Sequence, residues 1–169
     1  MRKGNKEKSG STVGREIERK FLVKNMSWKD NAEATLYRQG HLSLDPDRAV
    51  RVRIAGDGAH ITIKSRISEL VRREFEYSIP VADAEEMLRE LCQNFLVIKK
   101  RYRVECGSHV WEIDEFEGEN AGLVVAEVEL SAADEAVELP DWVGKEITGD
   151  TKYLNMCLCK LPFSWWKRK

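Results

Sequence analysis

Ionisable residues of a single sign recur at i, i+2 spacing along this chain. Glu16 and Glu18, Glu74 and Glu76, and Glu127 and Glu129 form acidic pairs, and Arg51 with Arg53 and Lys99 with Arg101 form basic ones. Lys20, Lys64 and Asp114 sit at the same spacing in similar runs. Carboxylate oxygens are the ligands that hard divalent cations take, and arginine and lysine are the donors that clamp phosphate oxygens. A solvated face normally mixes signs with Ser, Thr and Gln, so stretches of one sign are costly unless something of opposite charge binds them. The residue types therefore describe a site for metal and phosphate together. The carboxylates Glu16, Glu18, Glu74, Glu76, Asp114, Glu127 and Glu129 equal in number the cations Lys20, Arg51, Arg53, Lys64, Lys99, Arg101 and Lys152. Two divalent ions would add about four positive charges, roughly what a triphosphate chain neutralises, whereas a single phosphate would leave the site overcharged.

This spacing gathers side chains only on a strand, where positions i and i+2 share one face and the residues between them share the other. Eight runs read this way: 15–23, 35–44, 48–55, 59–66, 70–79, 97–106, 109–117 and 122–131. Turn signals separate several of them, including Asp45-Pro46-Asp47, Gly56-Asp57-Gly58, Gly107-Ser108 and Gly118-Glu119-Asn120. Opposite the charges lie Val50, Val52 and Ile54, Ile61 and Ile63, Trp111 and Ile113, and Val128 and Leu130. Ala84, Met87, Leu88, Leu91 and Phe95 are spaced for a helix, with Asp83 as its N-cap. Ser131 with Asp134 predicts a second helix, and the apolar residues from Tyr153 to Leu161 predict a third. The fold expected is α+β: eight antiparallel strands closing into a barrel, or tunnel, with a charged lumen and helices at its margins.

Lys and Arg number 28 against 29 Asp and Glu, for a net charge of -1, which excludes a generically basic nucleic-acid binder. The 42% hydrophobic content suffices for one packed domain, expected over residues 15–160. Residues 1–14, rich in Lys, Gly and Ser, read as a flexible tail without a secretory signal. No apolar run reaches the roughly 18 residues of a membrane span, so the expected location is the cytoplasm. Cys92, Cys106, Cys157 and Cys159 are too few and too irregular for a disulfide framework and are expected to be reduced. In the C-terminal tail, 161–169, Trp165 and Trp166 are expected to pack on the barrel exterior or on a second copy in a homodimer, rather than to anchor the chain at a membrane.

Glu16-Ile17-Glu18-Arg19-Lys20 resembles the E-x-E-x-K signature of the CYTH, or triphosphate tunnel metalloenzyme, superfamily. The resemblance continues in order through Arg38-Gln39-Gly40, Arg51-x-Arg53, Thr62-x-Lys64, Glu74-x-Glu76, Lys99-x-Arg101-Tyr102, Trp111-Glu112-Ile113-Asp114, Glu127-x-Glu129 and Asp150-x-Lys152-Tyr153-x-Asn155. The short bacterial inorganic triphosphatases are the members it most resembles. What this implies is a tunnel that binds a linear triphosphate with Mg²⁺ or Mn²⁺, two ions being expected. Glu16, Glu18, Glu127 and Glu129 would ligate metal, helped by Asp114, Glu74 and Glu76. Lys20, Arg51, Arg53, Lys64, Arg101 and Lys152 would clamp phosphate, and Lys99 matches a catalytic lysine. Relatives commonly carry Tyr where this chain has His41, which is expected either to position the attacking water or, when protonated, to bind phosphate. The activity implied is metal-dependent hydrolysis of tripolyphosphate to pyrophosphate and phosphate. Adenylyl cyclisation, thiamine triphosphate hydrolysis and noncatalytic binding of polyphosphate or nucleotide are the alternatives, and no nucleic-acid or membrane partner is expected.

Overall fold

The computed structural model describes residues 17–30, 32–45, 47–66, 72–132 and 134–166. The expected tail 1–14, Glu16 and Lys167 to Lys169 lie outside the described residues. Period-two alternation produces strands where it was read: β1 (Ile17–Val23), β2 (Ala34–Ser43), β3 (Arg48–Ala55), β4 (Gly58–Arg66), β5 (Arg72–Ile79), β6 (Gln93–Cys106), β7 (His109–Glu117) and β8 (Val124–Leu130). A ninth, β9 (Val143–Glu146), was not anticipated. It pairs antiparallel with β1, and a Cβ on its Gly144 would lie 2.7 Å from the Leu22 carbonyl oxygen, so this close approach needs glycine.

All nine strands form one antiparallel sheet in the order β5-β4-β3-β2-β6-β7-β8-β1-β9. The expected eight-stranded closure is corrected in one respect: among the described residues β5 and β9 are the sheet's ends, with no ladder between them. The sheet nonetheless curls around a common interior, since residues of β1 and β5 line the same cavity.

Helix α1 (Val81–Glu90) begins one residue after Pro80, whose carbonyl oxygen accepts from Ala84 N at 3.1 Å. Asp83 therefore stands in the first turn, where its charge favours the helix dipole, rather than at the N-cap. The helix stops short of Phe95: it ends at Glu90 with Leu91 as its C-cap, and Asn94, with a left-handed φ of 65°, already belongs to β6. Among the described residues no helix begins at Ser131. Its backbone N–H and hydroxyl both donate to Glu135 Oε2 at 2.6 Å, closing a loop instead. The third expected helix is confined to α2 (Asn155–Leu158).

Apolar side chains cover the outside of the curl and fill part of its interior. Phe21, Trp111, Ile113, Ala126 and Val128 pack with Trp28 and Trp142 over β1, β7 and β8. Helix α1 lays Ala84 and Leu88 on Val52, Ile54 and Ala59 of β3 and β4. The C-terminal segment packs Leu158 and Cys159 on Val97, Phe116, Leu123 and Val125, which share the inner face with Lys99, Asp114 and Glu127 and fill part of the curl's interior. Burying each larger apolar side chain contributes about 1.5–3 kcal/mol, which makes these three clusters the fold's main source of stability. Trp165 meets Phe95 edge-on at 5.4 Å, and Trp166 meets Tyr153 and Phe163 at 5.2 and 5.1 Å. All four cysteines are free thiols.

Candidate metal and phosphate site

The inward faces enclose a cavity of about 970 Å³. Glu18 and Lys20 reach it from β1, Gln39 and His41 from β2, and Arg51 and Arg53 from β3. Thr62 and Lys64 come from β4, Glu74 and Glu76 from β5, and Arg101 and Arg103 from β6. Glu112 on β7 and Glu127 and Glu129 on β8 complete the charged wall. Alternation explains the convergence: every one of these residues has an outward apolar or solvent-facing neighbour on its own strand.

Opposite charges are interleaved across the strands. Lys20 Nζ lies 2.9 Å from Glu127 and 3.0 Å from Glu18, and these carboxylates outweigh burial in raising its pKa. Arg101 donates to both oxygens of Asp114 at 2.7 Å, to Glu127 at 3.2 Å and to Glu112. Burial opposes its charge, but these acceptors leave it more firmly protonated than an ordinary arginine. Glu76 accepts from Thr62 at 2.8 Å and from Arg53 at 3.3 Å, with Arg51 at 3.6 Å. Lys64 pairs with Glu74 at 2.8 Å. The ring of Tyr37 sits between Arg53, Lys99 and Arg101, 5.4–5.9 Å from each, within cation–π range.

Two expected site residues lie beneath the lining. Lys99 is 2% exposed and Asp114 1%, and the Lys99 ammonium donates to Asp114 Oδ2. Burial pushes Lys99 below the usual lysine range against the pull of Asp114. Asp114 is itself buried, yet Lys99 and Arg101 hold its carboxyl below the ordinary value. The pair forms a charged floor under Arg101.

His41 is buried within the lining, 5% exposed, with Nδ1 3.9 Å from Cys159 Sγ. Burial, followed by Arg51, Lys160 and Lys64, lowers its pKa to about 4. Near neutral pH the ring is therefore uncharged in the ligand-free protein. Lys152 is not brought to the cavity lining. Its ammonium lies over the Tyr153 and Trp166 rings at 4.8 and 5.2 Å and faces Asp150 at 3.6 Å. From the same motif, Asn155 does line the cavity. Tyr37, Gln39, Glu112 and Arg103 are site residues that the charge-pair reading left without roles. The inward register of Tyr37, Gln39 and His41 at i, i+2 was the signal that could have found the first two.

The carboxylates suit a hard cation by chemistry and by placement. Glu18 faces Glu129 directly across β1 and β8, and Glu112 faces Glu127 across β7 and β8. Like charges directly opposite repel unless a cation intervenes. Lys20 relieves Glu18 and Glu127, while Glu129 has no ion-pair partner among the described residues. No three acidic, histidine or cysteine side chains among the described residues already converge as a closed metal site.

The family model for the CYTH domain matches residues 14–155. The chain belongs to the CYTH family. An inorganic triphosphatase of Acetivibrio thermocellus is 44% identical to this CYTH protein over 155 residues, spanning 92% of this chain and 99% of the relative. An inorganic triphosphatase of Nitrosomonas europaea is 35% identical over 147 residues, spanning 85% and 95%. A solved structure of an inorganic triphosphatase superposes with a TM-score of 0.70 at 32% identity, covering 87% of this chain and 95% of that one. No described helix is long and apolar enough to cross a membrane.

Proposed function

We infer that this CYTH protein is a divalent-metal-dependent inorganic triphosphatase that hydrolyses tripolyphosphate to pyrophosphate and phosphate. The observation that carries the reading is the single cavity in which Glu18, Glu127 and Glu129 face Arg51, Arg53, Arg101 and Lys20. The curated relatives of matching length that bear the name inorganic triphosphatase support it. Mg²⁺ or Mn²⁺, two ions for charge balance, would be held by Glu18, Glu127 and Glu129 together with Glu16. A cation so held supplies Lewis-acid polarisation of phosphoryl oxygens and activation of water.

The chain's own residues do the rest. Lys20 and Lys64 exchange partners when substrate enters, turning from their carboxylates to phosphoryl oxygens, and the charge balance is kept. Arg51, Arg53 and Arg101 are fixed donors for charge that grows on the phosphoryl oxygens in the transition state. Lys99 acts from beneath the lining, holding Asp114, which in turn fixes Arg101 through two hydrogen bonds. With Nδ1 turned to Cys159, His41 has Nε2 left for the cavity, where a neutral ring can accept a hydrogen bond from the attacking water. The rim carries Ser108, His109 and Ser131, with His109 Nε2 2.8 Å from Glu135.

The test is product analysis with tripolyphosphate, ATP and thiamine triphosphate, each with Mg²⁺, Mn²⁺ or chelator. Orthophosphate from tripolyphosphate, abolished by chelator, is expected. Pyrophosphate and a cyclic nucleotide from ATP would replace this reading with cyclisation, and binding without turnover would replace it with a noncatalytic module.

A further inference from the structure

Gln39 stands on the inner face of β2 between Tyr37 and His41, lines the cavity and is 1% exposed. Its amide nitrogen has no hydrogen-bond partner. A buried amide without an acceptor is destabilising, and an apolar side chain of the same length would be free of that cost. Arg53 lies directly opposite Gln39 on β3, and Arg51 lies opposite His41. The Nε atoms of both arginines are likewise buried and unpartnered. One outer nitrogen of each is engaged, Arg51 Nη2 with Thr62 at 3.1 Å and Arg53 Nη2 with Glu76 at 3.3 Å. Three donor nitrogens on two adjacent strands are therefore left over, and the nearby Glu76 carboxylate is already shared among Thr62, Arg53 and Arg51.

We propose that Gln39 is a substrate-binding residue whose amide donates a hydrogen bond to the phosphoryl group seated against Arg51 and Arg53. The proposal rests on the triphosphatase reading and adds to it a neutral donor. Neutrality has a physical reason at this position. A third cation beside two buried guanidiniums would repel them, and Arg51 is already pushed down by its burial and by Arg53. A carboxylate would repel the phosphate. An amide adds one directed hydrogen bond and leaves the charge balance of the wall unchanged. The penalty of the orphaned donor is carried by the ligand-free protein and removed when substrate binds, so the bond contributes to affinity more than to the fold.

Gln39→Met removes the N–H and keeps the length of the side chain. The full chain and this variant are titrated calorimetrically with tripolyphosphate in chelator and melted without ligand. Steady-state hydrolysis is followed in parallel with Mn²⁺. Expected are a melting temperature for ligand-free Q39M at or above wild type and tripolyphosphate binding roughly ten- to hundredfold weaker, the loss of one hydrogen bond to a charged group. Gln39→Glu is expected to bind more weakly than Q39M. Q39M binding within about twofold of wild type overturns the proposal, as does a ligand-free Q39M several degrees less stable, which would assign the amide to the fold. Wild-type protein that neither binds nor hydrolyses tripolyphosphate removes the triphosphatase reading and this proposal with it. Normal wild-type binding with unaffected Q39M removes Gln39 alone.

Discussion

Replacing Asp114 by asparagine keeps the shape of the cavity floor and removes the one negative charge that Lys99 and Arg101 share beneath the lining. Lys99 is then a buried ammonium without a counter-charge, and Arg101 keeps only Glu112 and Glu127. Breaking a buried pair from one side costs about 3–5 kcal/mol. Unfolding entropy of about 2.1 cal/mol/K per residue over a chain of 169 residues gives about 0.35 kcal/mol/K, so Tm should fall by about 8–14 °C. The effect has a pH signature. In the variant, burial holds the folded-state pKa of Lys99 well below its unfolded value of about 10.4. Between those two values the unfolded chain binds the proton and the folded chain does not, so stability rises with pH. The gap to wild type should therefore narrow from near pH 7 towards pH 10. Circular-dichroism melts of wild type, D114N, K99M and the double variant measure it. The double variant, which carries no orphaned ammonium, should recover part of the loss. D114N melting within about 2 °C of wild type, or a gap that does not change with pH, would refute the reasoning.

Glu129→Gln should reduce turnover at low metal concentration and recover partly in excess Mn²⁺; an equal deficit at every concentration would remove Glu129 from the metal site. Lys99→Met should lower kcat more than it raises KM, because Lys99 positions the floor from beneath, and an unchanged kcat would dismiss that role. His41 has a pKa lowered to about 4 from an unfolded value near 6.5. Its neutral burial therefore adds no pH slope above about 6.5 and makes stability fall as pH drops towards 4. His41→Phe should flatten that acid limb in pH-dependent melts, and an identical slope in both proteins would contradict the burial of an uncharged ring.

The inward ring of charges was legible in the sequence because a strand's side-chain period is two, and Glu127-x-Glu129 or Arg51-x-Arg53 can share a face in no other regular way. Lys152 was assigned through a motif rather than an alternation, and it lies on a short turn after β9, where that period has no meaning. Gln39 and Tyr37 share the inner face of β2 but carry no charge, so a reading led by ionic pairs passed over them. Strand number says nothing about whether the last edge finds the first, and four residues containing Gly144 have too little pattern to announce β9. The neutrality of His41 depends first on its burial and then on Arg51, Lys160 and Lys64 reaching it across the chain. The end of α1 at Glu90 was concealed by apolar spacing that runs on through Leu91 to Phe95, a residue of β6.

The most direct test is a crystal structure of the protein with tripolyphosphate and Mn²⁺, located by anomalous scattering. The account predicts manganese against Glu18, Glu127 and Glu129, with phosphoryl groups against Arg51, Arg53 and Arg101 inside the cavity. Manganese absent from those carboxylates, or tripolyphosphate bound only on the outer face of the sheet, would contradict it.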